Sequence, residues 1–160
     1  MAEQKTNVMR MLDQKKIPYT AHSYPHGGEA VDGLTVAAIT GQDPAHVFKT
    51  LVAQGASKKI YVFVVPVTAE LELRKAAKAV GEKSIAMVRV SELLALTGYV
   101  RGGCSPIGMK KQYPTFFHNS IEGLGTVLVS AGKIGWQVEL APAELLKLTR
   151  GRTADIAVEV

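Results

Sequence analysis

The chain has 160 residues, 47% hydrophobic and 21% charged, with a formal net charge of +5 and a pI near 9.4. That length builds one hydrophobic core over residues 1–160 and falls short of two ordinary domains, while the composition leaves no room for extended disorder. The longest uncharged apolar run, Ile60 to Thr68, is far below the ~20 residues of a spanning helix, and Met1 to Asn7 lacks the apolar region of a signal peptide. The expectation is a soluble, cytoplasmic protein with no membrane partner.

In chain order, Val8, Met11 and Leu12 recur at helical spacing within residues 5 to 14, Lys15-Lys16 and Pro18 stop that helix, and Tyr19 to Tyr24 reads as a strand. A small helix over Leu34 to Ile39 closes at Gly41. Val47 to Ala53 and Ile60 to Val67 are β-branched runs on either side of Gly55-Ala-Ser-Lys58, the pattern of a hairpin. The next segment predicts a helix capped by Thr68, with Glu70 and Glu72 in its first turns, Arg74, Lys75 and Lys78 nearer its end and Gly81 beyond, an order that suits the helix dipole. Ile85 to Val88 reads as a short strand, followed by a helix capped by Ser91, running through Leu96 and ending at Gly98.

After a glycine-rich stretch come predicted strands at Thr115 to His118, Thr126 to Ser130 and Trp136 to Leu140. A helix starts at Pro142 and runs through Leu148, with a last strand near Thr153 to Val158. Strands with interspersed helices predict an α/β (α+β) domain built on a mixed sheet. There is no internal repeat, low-complexity tract or linker.

The chemistry concentrates in three segments. Gly98-Tyr-Val-Arg101-Gly102-Gly103-Cys104-Ser-Pro106-Ile-Gly-Met-Lys110-Lys111 is expected to be a flexible loop, almost free of acidic groups, whose glycines let peptide N–H groups approach an anion. The same composition also describes a plain surface loop. Lys49 interrupts the apolar run Val47-Phe-Lys-Thr-Leu51, where it is either an ordinary outward strand lysine or an ammonium held in a pocket to attract a phosphate, carbonyl or carboxylate. Ser130 begins Ser-Ala-Gly-Lys133, either a turn serine or a hydroxyl presented to a ligand.

Cys104, the single cysteine, has no neighbouring histidine to activate it, and His22, His26, His46 and His118 share no metal-ligand spacing. Gly132-Lys133 lacks the preceding glycine of a phosphate-binding Walker loop. Neither a metal nor another cofactor is expected. The net positive charge favours a polyanionic partner without deciding which.

Taken together, His22-Ser-Tyr24-Pro-His26, Val47-Phe-Lys49-Thr50-Leu51, Gly98 to Lys111, Val129-Ser130-Ala-Gly-Lys133 and Ala154-Asp-Ile-Ala157 resemble the YbaK family of aminoacyl-tRNA deacylases, relatives of the editing domain of some prolyl-tRNA synthetases. The resemblance spans most of the chain. It implies a compact fold with a barrel-like mixed sheet surrounded by helices, and trans-editing of Cys-tRNA(Pro), or also Cys-tRNA(Cys), in which the cysteinyl thiol attacks its own ester carbonyl.

On this resemblance Lys49, Gly102 and Gly103 are the catalytic positions, with Tyr24, Thr50, Ser130 and Pro106 around the substrate. The implied partners are aminoacyl-tRNA and prolyl-tRNA synthetase, with no DNA. Gln137 departs from the family, many members of which have aspartate there. Three alternatives stay open at this point: an Ala-tRNA(Pro) deacylase that uses water, a noncatalytic tRNA-end binding module, and a redox role for Cys104.

Overall fold

The computed structural model describes residues 5–159. Its helices are α1 (Asn7–Gln14), α2 (Gly33–Thr40), α3 (Leu73–Val80), α4 (Val90–Thr97) and α5 (Pro142–Thr149). The strands are β1 (Thr20–Ser23), β2 (Phe48–Gly55), β3 (Ile60–Pro66), β4 (Ala69–Leu71), β5 (Ile85–Met87), β6 (Thr115–His118), β7 (Val127–Ser130), β8 (Trp136–Leu140), β9 (Arg152–Ala154) and β10 (Ala157–Glu159).

The predicted hairpin forms, with β2 and β3 antiparallel and Lys49 and Thr50 opposite Val65 and Val64. It is the centre of a five-stranded mixed sheet ordered β5-β2-β3-β6-β9. β3 is buried on both faces, which is why its sequence is an uninterrupted apolar run rather than an alternating one. Val62 and Val64 face a core shared with α1, β7, β8 and α5, whereas Tyr61, Phe63 and Val65 face a second core under α3. A three-stranded sheet, β1-β8-β7, and the pair β10-β4 complete the architecture. The five-stranded sheet keeps β5 and β9 as edges, so the mixed α/β fold is barrel-like without a closed barrel. No helix among the described residues is long and apolar enough to cross a membrane.

Three predicted boundaries are corrected. Thr68, Glu70 and Glu72 do not lie at and within the start of a helix: Ala69–Leu71 is strand β4, paired with the end of the chain, and Glu72 is the cap, its carboxylate accepting from the Lys75 N–H at 2.9 Å. A nonlocal strand partner has overridden a locally plausible helix start. Arg89, not Ser91, occupies the cap position of α4, without a side-chain cap bond. The last predicted strand is two, β9 and β10, in different sheets. The glycine stops at Gly41, Gly81 and Gly98 hold, each in the left-handed conformation.

Candidate functional site

Val47, the residue just before β2, makes a single parallel bridge with Leu128 of β7, and the two strands belong to different sheets beyond it. Val47, Leu128, Ala37 of α2 and Val67 form a small buried cluster at that junction. Two residues further along each strand stand Lys49 and Ser130, and both line a cavity of about 120 Å³. The divergence of the strands leaves this space because neither backbone fills it. Thr50, Phe48 and Val36 contribute to its wall.

β8 completes the site from the other sheet. The turn after β7 is closed by the Ala131 N–H donating to the Trp136 carbonyl at 3.0 Å, which sets Ser130 opposite Gln137. Both side chains line the cavity. β1 pairs with the far edge of β8, and the Tyr24 N–H continues that pairing by donating to the Gly135 carbonyl at 2.9 Å. Tyr24 is thereby brought to the cavity with only 7% exposure.

Thr50 Oγ1 and Gln137 Oε1 are the two buried side-chain polar atoms that have no hydrogen-bond partner among the described residues. Both belong to residues lining this one cavity. An unpaired buried polar group costs about 1–3 kcal/mol, which makes this cavity the candidate site. Lys49 provides the cavity's only formal charge among its lining residues. Its ammonium lies 3.5 Å from the carboxylate of Glu70, which does not line the cavity and is largely exposed.

The glycine-rich segment is not the flexible loop expected from composition. Gly103 to Ile107 are buried, and the loop base is tied by the Lys110 N–H donating to the Thr97 carbonyl at 3.0 Å. Tyr99 crosses the loop, its hydroxyl donating to the Ile107 carbonyl at 2.5 Å; burial pushes its pKa up to about 12, so it stays a donor. Gly102 lines the cavity at φ 86°, and a Cβ there would lie 2.7 Å from Ala30 Cβ and 2.8 Å from Ala30 Cα. Only glycine meets both demands.

Of the expected catalytic positions, Lys49 and Gly102 reach the cavity and Gly103 does not line it. The Gly103 N–H is already engaged, donating to the Val100 carbonyl at 3.0 Å, and a Cβ added there would meet the Lys133 and Ile134 backbone, with Ile134 N at 3.0 Å. The N–H groups of Gly102 and Cys104 have no acceptor among the described residues, and both residues line the cavity. Cys104, which has no neighbouring histidine in sequence to activate its thiol, joins the cavity lining. Tyr24, Thr50 and Ser130 converge as expected, whereas Pro106 is buried in the loop away from the cavity lining.

Arg101, Lys110, Lys111 and Lys133 do not line the cavity. Lys111 instead sits 5.9 Å from the Tyr113 ring, and Lys133 lines a separate surface depression with Lys5 and Arg10. Burial pushes the Cys104 thiol up to about 11, which keeps it protonated near neutral pH and argues against a nucleophilic or redox role. No group of histidine, cysteine and carboxylate side chains among the described residues is arranged to hold a metal ion.

Residues 29–148 match the family model of the aminoacyl-tRNA editing domain. The chain belongs to this family. A relative from Enterococcus faecalis, EbsC, named for Cys-tRNA(Pro)/Cys-tRNA(Cys) deacylase activity, is 44% identical over 157 residues, covering 98% of this chain and 96% of that protein. The editing-domain fold recurs in a solved structure described as a trans-editing enzyme for prolyl tRNA synthetase, with a TM-score of 0.82, 23% identity and coverage of 98% and 99% of the two chains. It recurs again in a scaffold used for grafting linear epitopes, with a TM-score of 0.83, 25% identity and coverage of 96% of each chain. In this editing domain the matched segment contains every cavity residue named above except Tyr24.

Proposed function

We propose that the cavity cleaves the aminoacyl ester of Cys-tRNA(Pro), and of Cys-tRNA(Cys), releasing uncharged tRNA. The observation that carries this reading is the pair of unpartnered oxygens, Thr50 Oγ1 and Gln137 Oε1, on residues that line the same small space as Lys49. A space of about 120 Å³ suits a small aminoacyl group and its ester, not a nucleotide as well. Cysteine and proline are similar in size, so a synthetase pocket built for proline admits cysteine, and a second site must remove the error.

The absence of an activated protein nucleophile at the cavity fits chemistry in which the substrate supplies its own. The cysteinyl sulfur attacks the ester carbonyl carbon; the C–S bond forms as the bond from that carbon to the terminal ribose oxygen breaks. The thiol proton ends on the ribose hydroxyl, and the products are a cyclic thiolactone and free tRNA. No water is consumed.

The protein then holds sulfur and carbonyl together, which is worth a large effective concentration, and stabilises the oxygen on which charge develops. Lys49 and the free N–H groups of Gly102 and Cys104 serve that oxygen. The Gln137 carbonyl accepts from the substrate's α-ammonium, and the Thr50 and Ser130 hydroxyls fix the rest of the aminoacyl group. Tyr24 closes the pocket. The chain works in the cytoplasm beside prolyl-tRNA synthetase, which produces the mischarged substrate.

The test is incubation of the purified protein with Cys-tRNA(Pro), Cys-tRNA(Cys), Ala-tRNA(Pro) and Ser-tRNA, following the ester and the released amino-acid product. Loss of the cysteinyl ester with thiolactone as the first product is expected. Intact Cys-tRNA(Pro) at high enzyme concentration defeats the assignment. Cleavage of Ala-tRNA(Pro) alone, with free alanine as product, assigns the site to water-dependent editing instead.

A further inference from the structure

A second depression, of about 250 Å³, opens beside the cavity and shares Thr50, Gly102 and Cys104 with it as common walls. Its own floor and sides come from Met87 of β5, Arg89, Val90 and Leu93 at the start of α4, and Arg101 of the glycine loop. The lining is mainly aliphatic, yet Val90 is 60% exposed and Met87 46% exposed, an unusual outlay of apolar surface beside a polar site. Arg89 and Arg101 are exposed, and their guanidinium groups form no hydrogen bond or ion pair among the described residues. No carboxylate lines the groove.

We propose that this groove takes the 3′ end of the tRNA, the terminal adenosine and the unpaired nucleotide before it, so that the RNA strand reaches the cavity past α4 and the glycine loop. The inference rests on the deacylase reading for its substrate and deepens it. The cavity of about 120 Å³ suits the aminoacyl ester and not a nucleotide as well, so the attached strand lies outside it, and this groove adjoins the cavity with three residues common to both linings. Its surface matches single-stranded RNA on two counts. Base faces pack on aliphatic side chains and on guanidinium planes, and phosphates are attracted by two arginines that no protein carboxylate neutralises. Unpaired nucleotides are the occupant favoured over a protein partner because the groove combines apolar walls with a single sign of charge.

The experiment measures binding, independently of turnover. A fluorescently labelled, uncharged RNA oligonucleotide ending in ACCA-3′ is titrated with the wild-type chain and with Arg89→Ala/Arg101→Ala, at several salt concentrations, with circular dichroism to verify the fold. The double variant is expected to bind at least tenfold more weakly. Its log K against log[salt] slope should be shallower by about 1.4, the value for two phosphate contacts on a single strand. Val90→Asp is expected to weaken binding to a similar degree by introducing a like charge beside the strand.

Equal affinity and salt slope in wild type and double variant would overturn the proposal. So would a Val90→Asp variant that dissolves a dimer seen by sedimentation while leaving RNA affinity intact, which assigns the groove to a second copy of the chain. The two readings fail separately. Cys-tRNA(Pro) cleavage without arginine-dependent RNA binding removes the groove and leaves the deacylase; arginine-dependent RNA binding without cleavage removes the deacylase and leaves the groove.

Discussion

Thr50 and Gln137 sit in different sheets, on β2 and β8, yet each lines the same cavity and carries an unpartnered buried oxygen. A fold bears such a cost at a site where a ligand repays it. Thr50→Val and Gln137→Met keep volume and remove the unpaired groups. Each is expected to leave stability unchanged or raise it by about 1 kcal/mol, while lowering deacylation at least tenfold. Urea unfolding alongside single-turnover deacylation measures both. A variant that gains stability and retains full activity would mean that its oxygen has no part in substrate binding.

Lys49→Ala should abolish most activity with the fold retained, because the β2–β3 pairing at this position is made by backbone groups. Loss of one donor to a developing oxyanion typically costs about 10²–10³ in rate. Single-turnover rates, compared with a thermal melt, check the prediction. Lys49→Arg keeps the charge but not the compact ammonium, and is expected to recover only part of the rate.

Gly102→Ala should damage both stability and turnover, since its φ of 86° is hostile to an L side chain and its Cβ would press on Ala30 Cα at 2.8 Å. Gly123→Ala is the matching control, with the same φ of 86° and nothing within 4 Å of the added Cβ. The control carries only the conformational penalty, about 1–2 kcal/mol. Gly102→Ala should exceed it in denaturant unfolding and also lose deacylation, which Gly123→Ala keeps.

Cys104 should react slowly with iodoacetamide at pH 8, and its alkylation rate should rise with pH until the thiol titrates at about 11. The physical cause is burial, which penalises the thiolate. Cys104→Ser is expected to retain deacylation. A thiol that labels rapidly at neutral pH would contradict both the burial and the assignment of sulfur chemistry to the substrate.

His118 gives a pH dependence of stability. Burial holds its pKa below the usual histidine value, and its Nδ1 accepts from the Ile156 N–H at 3.3 Å, between β9 and β10. Because the folded pKa is depressed, the unfolded chain binds protons more readily, so stability is fully present above the unfolded value of about 6.5 and is lost as pH falls through the folded one. Chemical denaturation at pH 7.5 and pH 5 should show the loss. His118→Asn, which retains an acceptor and cannot titrate, should narrow the difference.

Much of this protein was legible because its signals are local. Gly41, Gly81 and Gly98 mark helix ends by a conformation that glycine adopts freely, and the β2–β3 hairpin is announced by two apolar runs around a turn. Lys49, Ser130 and Gly102 were identified as candidates from their neighbours in sequence, with the family resemblance supplying their roles. Where the reading failed, the deciding interaction was distant. Ala69–Leu71 is a strand only because Ala157–Glu159 returns to pair with it, and the Gly103 N–H is lost to the site because the loop folds back on Val100.

By itself, then, the sequence determined the element types, the family and the short set of chemically capable residues, since each depends on side chains close together along the chain. Tertiary structure alone decided that Lys49 lines the cavity, that Gln137 lies opposite Ser130, and that Cys104 rather than Gly103 joins Gly102 in the cavity lining. Those facts depend on where β2 parts from β7 after Val47 and Leu128. That divergence is set by how the two sheets pack around a common core, and sheet packing is a sum over contacts between residues far apart in the chain.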